Sequence, residues 1–379
     1  TDSQEDTLTP LQVGIMKEKR PIYRLPLLAL GMLSLLGGVL TGLARLAWDV
    51  PAFATAQSGL HAALMIGAFF GTVISLERAV ALARGWPYLA PAAAGLGGLC
   101  ILTGAPPLAA PLALLLASLV LLAGSVLVVR QLQAMFTVVL ALAVSCWVIG
   151  NLAWLASGVL LPALPWWLAF LVLTIAAERL ELTRLLPTPQ HAKKLFPLCV
   201  AVILAGATLS LFDTLGLQVF AAGLLLLAGW LMAYDIARRN IRFKGITRYI
   251  AYALLGGYLW LTLAGVLGLA GAFAPGHVWR DAALHALGLG FVFSMVFGHA
   301  PIIFPAVARV KIPYHPVFYL PLLALHLSLL YRLAGAWQDG FQFRREAGLE
   351  NALVLLLFIV VMLASVWRGK RQARRTGKA

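Results

Sequence analysis

Residues 281–311 read DAALHALGLGFVFSMVFGHAPIIFPAVARVK. The stretch is apolar, with Asp281 at one end and Arg309 and Lys311 at the other. A spanning helix needs about 20 apolar residues, so this segment reads as transmembrane. It contains two histidines. His285 lies about one turn in, and His299 lies near the middle. They are roughly 21 Å apart along a helix, nearly four whole turns, which returns both to a similar face. Gly288 and Gly290 follow the first histidine and leave open surface beside it. An ionisable side chain inside a spanning helix is costly and rare, which makes each of these a functional hypothesis. The plainer reading is a histidine hydrogen-bonded to a neighbouring helix carbonyl.

The rest of the chain repeats this pattern. Of 379 residues, 61% are hydrophobic and 11% charged, roughly half the charged share of a soluble domain. The fold class is therefore an all-α polytopic membrane protein with about twelve spans. They fall near 25–47, 58–83, 88–104, 108–130, 133–158, 166–186, 195–212, 216–237, 248–272, 282–308, 317–337 and 349–367. The organisation expected is a 1–24 cytoplasmic tail, a single 25–367 transmembrane domain and a 368–379 basic cytoplasmic tail. The polar N-terminal stretch does not read as a signal peptide. Cys100, Cys146 and Cys199 sit in separate runs and read as lone buried thiols.

A net charge of +15 invites a nucleic-acid reading, but the charge is distributed by topology. All but five of the 29 Lys and Arg residues fall on or next to one side of the spans. The exceptions are Arg45, Arg280, Arg332, Arg344 and Arg345. This bias orients both termini to the cytoplasm, as in a bacterial cytoplasmic (inner) membrane protein. Trp48, Trp166, Trp167, Trp279 and Trp337 then mark an outer aromatic belt, and 338–350 is a polar outer loop. The basic 238–248 segment reads as a topology anchor able to touch anionic lipid headgroups.

A faint internal repeat is legible. Leu60-His61-Ala62 opens span two and Leu284-His285-Ala286 opens span ten. Glu77-Arg78 ends span two and Glu178-Arg179 ends span six. The recurrence every four spans suggests three four-helix units, between which membrane proteins can place functional sites. Gly38-x-x-x-Gly42 and Gly67-x-x-x-Gly71 indicate close helix packing.

His61 and His285 should lie at similar heights, and two facing imidazoles can clamp one haem iron. Arg45, Trp48 and Arg280 are the neighbours expected for haem propionates. A second, deeper level holds His299, His326 and Glu178. Such a set suits a metal such as copper or iron, or a proton relay. It equally suits ion pairing of Glu178 or Glu181 with Arg179 or Arg184. Tyr258 and Trp260 are expected to line a cofactor slot or to pack. Asn151, with Trp154 one turn later, is a buried amide that needs a partner. His191, His277 and His315 read as loop residues. No C-x-x-C-H attachment motif occurs, so the haem expected is a non-covalent haem b.

At GGYLWLTLAGVLGLAG (256–271) followed by ALHALGLGF (283–291) the chain resembles the NnrS family. These are twelve-span bacterial membrane proteins that bind haem and copper and act in the nitric oxide response. The resemblance covers the last third of the chain and implies roles in cofactor binding for Tyr258, Trp260, His285 and Gly288. The family's His-x-His-Glu cluster near the second span is here His61-Ala62-Ala63-Leu64-Met65, which sets haem ahead of copper. More distantly, low-spin haem between the second and tenth of twelve helices is similar to the core subunit of haem–copper oxidases. The chain lacks that family's copper motif on span six. The function expected is a haem-binding membrane protein of nitric oxide response or handling, or of electron transfer to a redox partner. The alternatives are a secondary transporter using buried Glu, Arg and His, signalled by a helix broken at Gly298–Pro305, and a non-catalytic subunit of a respiratory complex.

Overall fold

A computed structural model describes residues 24–375 apart from 185, 188, 338 and 339. Twelve main helices account for most of it. They are α1 (Arg24–Arg45), α2 (Ala63–Leu82), α3 (Leu89–Leu102), α4 (Ala109–Gln131), α5 (Met135–Ser157) and α6 (Leu164–Thr183). After them come α7 (Gln190–Leu209), α8 (Leu215–Tyr234), α9 (Ile246–Leu269), α10 (Arg280–Ala308), α11 (Tyr319–Trp337) and α12 (Phe341–Arg375). No strand occurs among the described residues.

Among the described residues, ten helices are long and apolar enough to cross a membrane. Helix α3 is short, and α6 carries Glu178, Arg179 and Glu181 in its last turns. Helix α6 tolerates these charges because it does not face lipid. Every residue from Pro165 to Thr174 is buried by other helices. The protein is an all-α polytopic membrane protein.

Consecutive helices pack as antiparallel neighbours, and α12 returns to touch α1. Inside this ring α2, α6 and α10 meet one another. These are the second helices of three successive groups of four, which gives the faint repeat a spatial meaning. Among the largest fully buried side chains are Trp167 and Phe170 of α6, Phe291 and Phe297 of α10, and Trp147 of α5. Phe69 of α2 stacks on Phe293 of α10 at 6.0 Å, and Trp147 of α5 stacks on Phe170 of α6 at 5.0 Å.

In lipid, helices associate by close packing and not by hydrophobic exclusion. The α7–α8 hairpin depends on this. A Cβ built at Gly206 would meet the backbone of Phe220, and one at Gly223 would meet the backbone of Ile203. Backbone atoms cannot step aside as a side-chain tip can. Gly206→Val is therefore expected to destabilise the protein by about 1–3 kcal/mol, the range for overpacking. A lowered denaturation midpoint in detergent checks this, and an unchanged midpoint would mean that the hairpin is loosely packed.

Several expectations change. The 338–350 segment is helical, not a loop, from Phe341 onward, where α12 begins. The segment expected as a basic tail continues α12 as far as Arg375, with Arg371 lying 3.4 Å over the Trp367 ring. The N-terminal tail lies outside the described residues except Arg24. That residue is buried in the first turn of α1 and donates to the Tyr88 hydroxyl at 3.1 Å. Trp166 and Trp167 are core residues, not belt residues. Trp167 donates to the Asn151 side-chain oxygen, which supplies the partner Asn151 needed. His191 lies in the first turn of α7, not in a loop, beside Tyr234.

Candidate functional site

The two histidines of the repeat are brought together. The His61 and His285 ring centroids are 6.4 Å apart with planes at 28°. Each stands at the head of an eight-residue π-helical stretch, Ala63–Phe70 in α2 and Ala286–Phe293 in α10. The π-helix is rare and is found mostly as single turns at functional sites. Two of equal length behind two equivalent histidines extend the repeat beyond three letters of sequence. At their far ends Phe70 meets Phe293 at 5.3 Å.

His61 is positioned by α1. Its Nδ1 lies 2.6 Å from the Gly38 carbonyl oxygen. A carbonyl only accepts, so Nδ1 carries the proton and donates it. The ring lies over Gly42, where a Cβ would stand 2.9 Å from two of its atoms. The Gly38-x-x-x-Gly42 pair thus serves His61 directly, because one glycine supplies the acceptor and the other the space. Gly42→Ala is expected to push the ring aside by a few tenths of an ångström and to weaken any ligand held by His61 about tenfold. That is the low end of the loss seen when support of a metal-bound histidine is disturbed. A binding titration beside wild type checks it.

His285 is positioned by its own helix and by α11. Its Nδ1 donates to the Asp281 carbonyl at 2.8 Å. The Asp281 carboxylate lies 3.3 Å from the same nitrogen. That carboxylate is gripped by Arg332 of α11 through Nε at 2.7 Å and Nη2 at 2.9 Å. Arg332 also donates to Asn351 of α12 at 2.8 Å, and Asn351 donates to Ser328 at 2.8 Å. This buried chain ties α10, α11 and α12 together behind one imidazole.

Both rings are thereby fixed in the tautomer that leaves Nε2 as a lone pair. Neither Nε2 has a hydrogen-bond partner among the described residues. Metal-binding histidines typically donate the other ring N–H to a carbonyl or carboxylate in this way. One metal ion with nitrogen bonds of about 2 Å on opposite sides separates imidazole centroids by roughly 6 Å. The observed 6.4 Å fits that span. A Cβ at Gly288, one turn beyond His285, would meet nothing within 4 Å, and His285 keeps 24% of its side-chain surface accessible. Open space thus adjoins the pair. The arginines expected on this side gather nearby. Arg45 and Arg332 act on His61, Arg45 on Arg280, and Arg344 on Asp281, while Arg345 covers Trp48 at 4.0 Å. Two imidazole Nε2 lone pairs with arginines nearby are a donor set that would suit a haem, His61 and His285 holding the iron and the arginines meeting its propionates.

The deeper set does not assemble in the same way. His299 Nδ1 donates to the Met295 carbonyl at 2.8 Å, and its Nε2 accepts from Arg179 at 3.3 Å. Glu178 pairs with Arg78 of α2 at 2.5 Å. Arg179 pairs with Asp235, just past α8, at 2.9 Å. Glu181 and Arg184 form an exposed pair at 3.8 Å. His326 accepts from Trp260 Nε1 at 2.9 Å and lies over Gly256 of α9. His299, His326 and Glu178 therefore face different partners. No group of three or more His, Cys, Asp or Glu able to hold a metal occurs among the described residues. Tyr258 is buried beside Arg179 and Asp235, and Trp260 packs on Gly290. Both lie deeper along the bundle than the His61–His285 pair.

Sequence reading missed Asp235, Asn351 and the interior place of Arg332. Asn351 and Arg332 lie close to runs of charge that resemble loop ends. For Arg332 the signal present was its position within a predicted span, six residues after His326 and four after Ser328.

A family model described as Domain of unknown function (DUF8744) matches residues 24–367, which reach into all twelve helices. Comparison with the curated proteins gives no match.

Proposed function

The chain belongs to the DUF8744 family, and from the geometry of its paired histidines we propose that it is a haem-binding protein of the bacterial cytoplasmic membrane. The observation that carries this reading is the pair itself. His61 and His285 come from helices far apart in sequence, each with Nδ1 donating to a carbonyl, and their centroids are spaced for one iron. Arg45 and Arg280 would meet the propionates. Haem bound there supplies a one-electron couple or, with one axial place open, a site for nitric oxide.

The chain's own residues set the balance between these uses. His285 is braced by Asp281, Arg332 and Asn351. His61 rests on a single carbonyl and a glycine. With both bound, electron transfer to a redox partner is favoured. If haem binds, His61 would be the less firmly held of the two histidines. The termini lie in the cytoplasm and the histidine pair near the opposite face, by the distribution of Lys and Arg. Copper has less support, since His299, His326 and Glu178 are separately engaged. The transporter reading expected α10 to break at Gly298–Pro305, but the helix runs through both prolines to Ala308.

The test is the reduced-minus-oxidised absorption spectrum of protein purified after expression with ample haem, followed by paramagnetic resonance of the oxidised form. A low-spin signal of two axial histidines is expected. Protein that takes up no haem would overturn the reading.

A further inference from the structure

Helices α2 and α6 end on the same dipeptide, Glu77-Arg78 and Glu178-Arg179. The fold links these into a chain of ion pairs around the three inner helices. Arg78 of α2 takes Glu178 of α6. Arg179 of α6 takes Asp235 and also reaches His299 of α10. A regular continuation would place a third Glu-Arg pair on α10, whose arginine would answer Glu77. Counting from His61 and His285, the corresponding positions on α10 are Pro301 and Ile302. That arginine is missing. Glu77 is partly buried beside Arg78 and Glu178, and it makes no hydrogen bond or ion pair among the described residues.

The charges do not balance. Among the described residues, Glu77, Glu178 and Asp235 are answered by Arg78 and Arg179. His299 adds no charge in this arrangement, since Nδ1 donates to a carbonyl and Nε2 accepts from Arg179. Glu181 also lies near Arg78, but Arg184 answers its charge at 3.8 Å. A second observation points the same way. The Tyr258 hydroxyl is fully buried against Arg179 and Asp235 yet has no hydrogen bond of good geometry, and Arg78 Nε is likewise unpartnered. Polar atoms of this kind are suited to water or a mobile proton. An unmatched carboxylate inside a spanning bundle is unfavourable, and one proton removes the imbalance. A cavity of about 260 Å³ lined by Arg78, Glu178 and Glu181 adjoins the cluster.

We propose that Glu77, which lies behind the cavity-lining Arg78 and Glu178, carries an exchangeable proton that reaches it from the cavity by way of Glu178, and that the cluster is a proton-transfer site separate from the histidine pair. The proton comes from water or hydronium in the cavity, passes by way of Glu178 to a Glu77 carboxylate oxygen and leaves by the same route. Nothing is oxidised or reduced. The inference does not rest on haem binding.

Infrared spectroscopy of the full chain in detergent tests it. The wild type at neutral pH is expected to show the carbonyl stretch of a protonated carboxyl, shifting in heavy water. The band should vanish in the isosteric Glu77→Gln, return in Glu77→Asp and persist in His285→Ala. Absence of such a band in the wild type, or its survival in Glu77→Gln, overturns the proposal. Because His285→Ala disturbs the haem site and leaves the cluster in place, failure here is distinguishable from failure of the haem reading.

Discussion

Protein carrying His285→Ala is expected to lose haem affinity by at least about 100-fold. Disturbing only the supporting partner of a metal-bound histidine typically costs 10–100-fold, and here the nitrogen itself is removed. His285 is the histidine with the deeper support, through Asp281, Arg332 and Asn351. His61→Ala is expected to act differently. The rest of the site stays in place, so haem should remain, five-coordinate and high-spin, with a nitric oxide-induced spectral shift that the wild type shows weakly. Spectra of the two variants side by side decide the matter. Equal loss of haem from both would make the ligands equivalent. Full retention in His285→Ala would remove this histidine from the site.

Arg332→Leu is expected to destabilise the protein by about 3 kcal/mol. Removing one partner of a buried pair typically costs 3–5 kcal/mol. The low end applies because Asp281 keeps 27% of its side-chain surface accessible, while Arg332 keeps only 5%. The loss arises from a carboxylate left without its counterion and from Asn351 left without its donor. Adding Asp281→Asn to Arg332→Leu should recover part of that stability, because the unpaired charge then disappears. Denaturation midpoints for both single variants and the double variant form the cycle. A double variant as unstable as the sum of the singles would mean that the two residues act independently. The same variants bear on the haem reading, since the Asp281 carboxylate lies 3.3 Å from His285 Nδ1.

The helices, their order and the nearness of His61 to His285 were legible because each is written in local terms. Apolar length marks a helix, and Leu-His-Ala recurs at one height in two helices that run the same way. The partner of each buried charge was not legible in this way. Glu178 has Arg179 and Glu181 near it in sequence, but adjacent residues on a helix do not face each other. Its partner is Arg78, one hundred residues earlier. Asp235 carried no signal at all, since it follows an apolar helix as an ordinary cap does. Its Oδ1 does accept from the Ala237 amide, while Oδ2 holds Arg179 in the core. The π-helical stretches were equally hidden, because apolar residues between tight glycine contacts read the same in either winding.

Those two stretches have a mechanical consequence. A π-wound segment closes its hydrogen bonds over five residues instead of four, so it advances less around the axis per residue than an α-helix does. Everything beyond it is turned relative to a uniform helix. In α2 the segment lies between His61 and Glu77-Arg78. It therefore acts as gearing: the winding of residues 63–70 sets the phase at which Arg78 meets α6. Deleting one residue there would rewind the segment and rotate the far end of α2, carrying Arg78 away from Glu178 with no change near either charge.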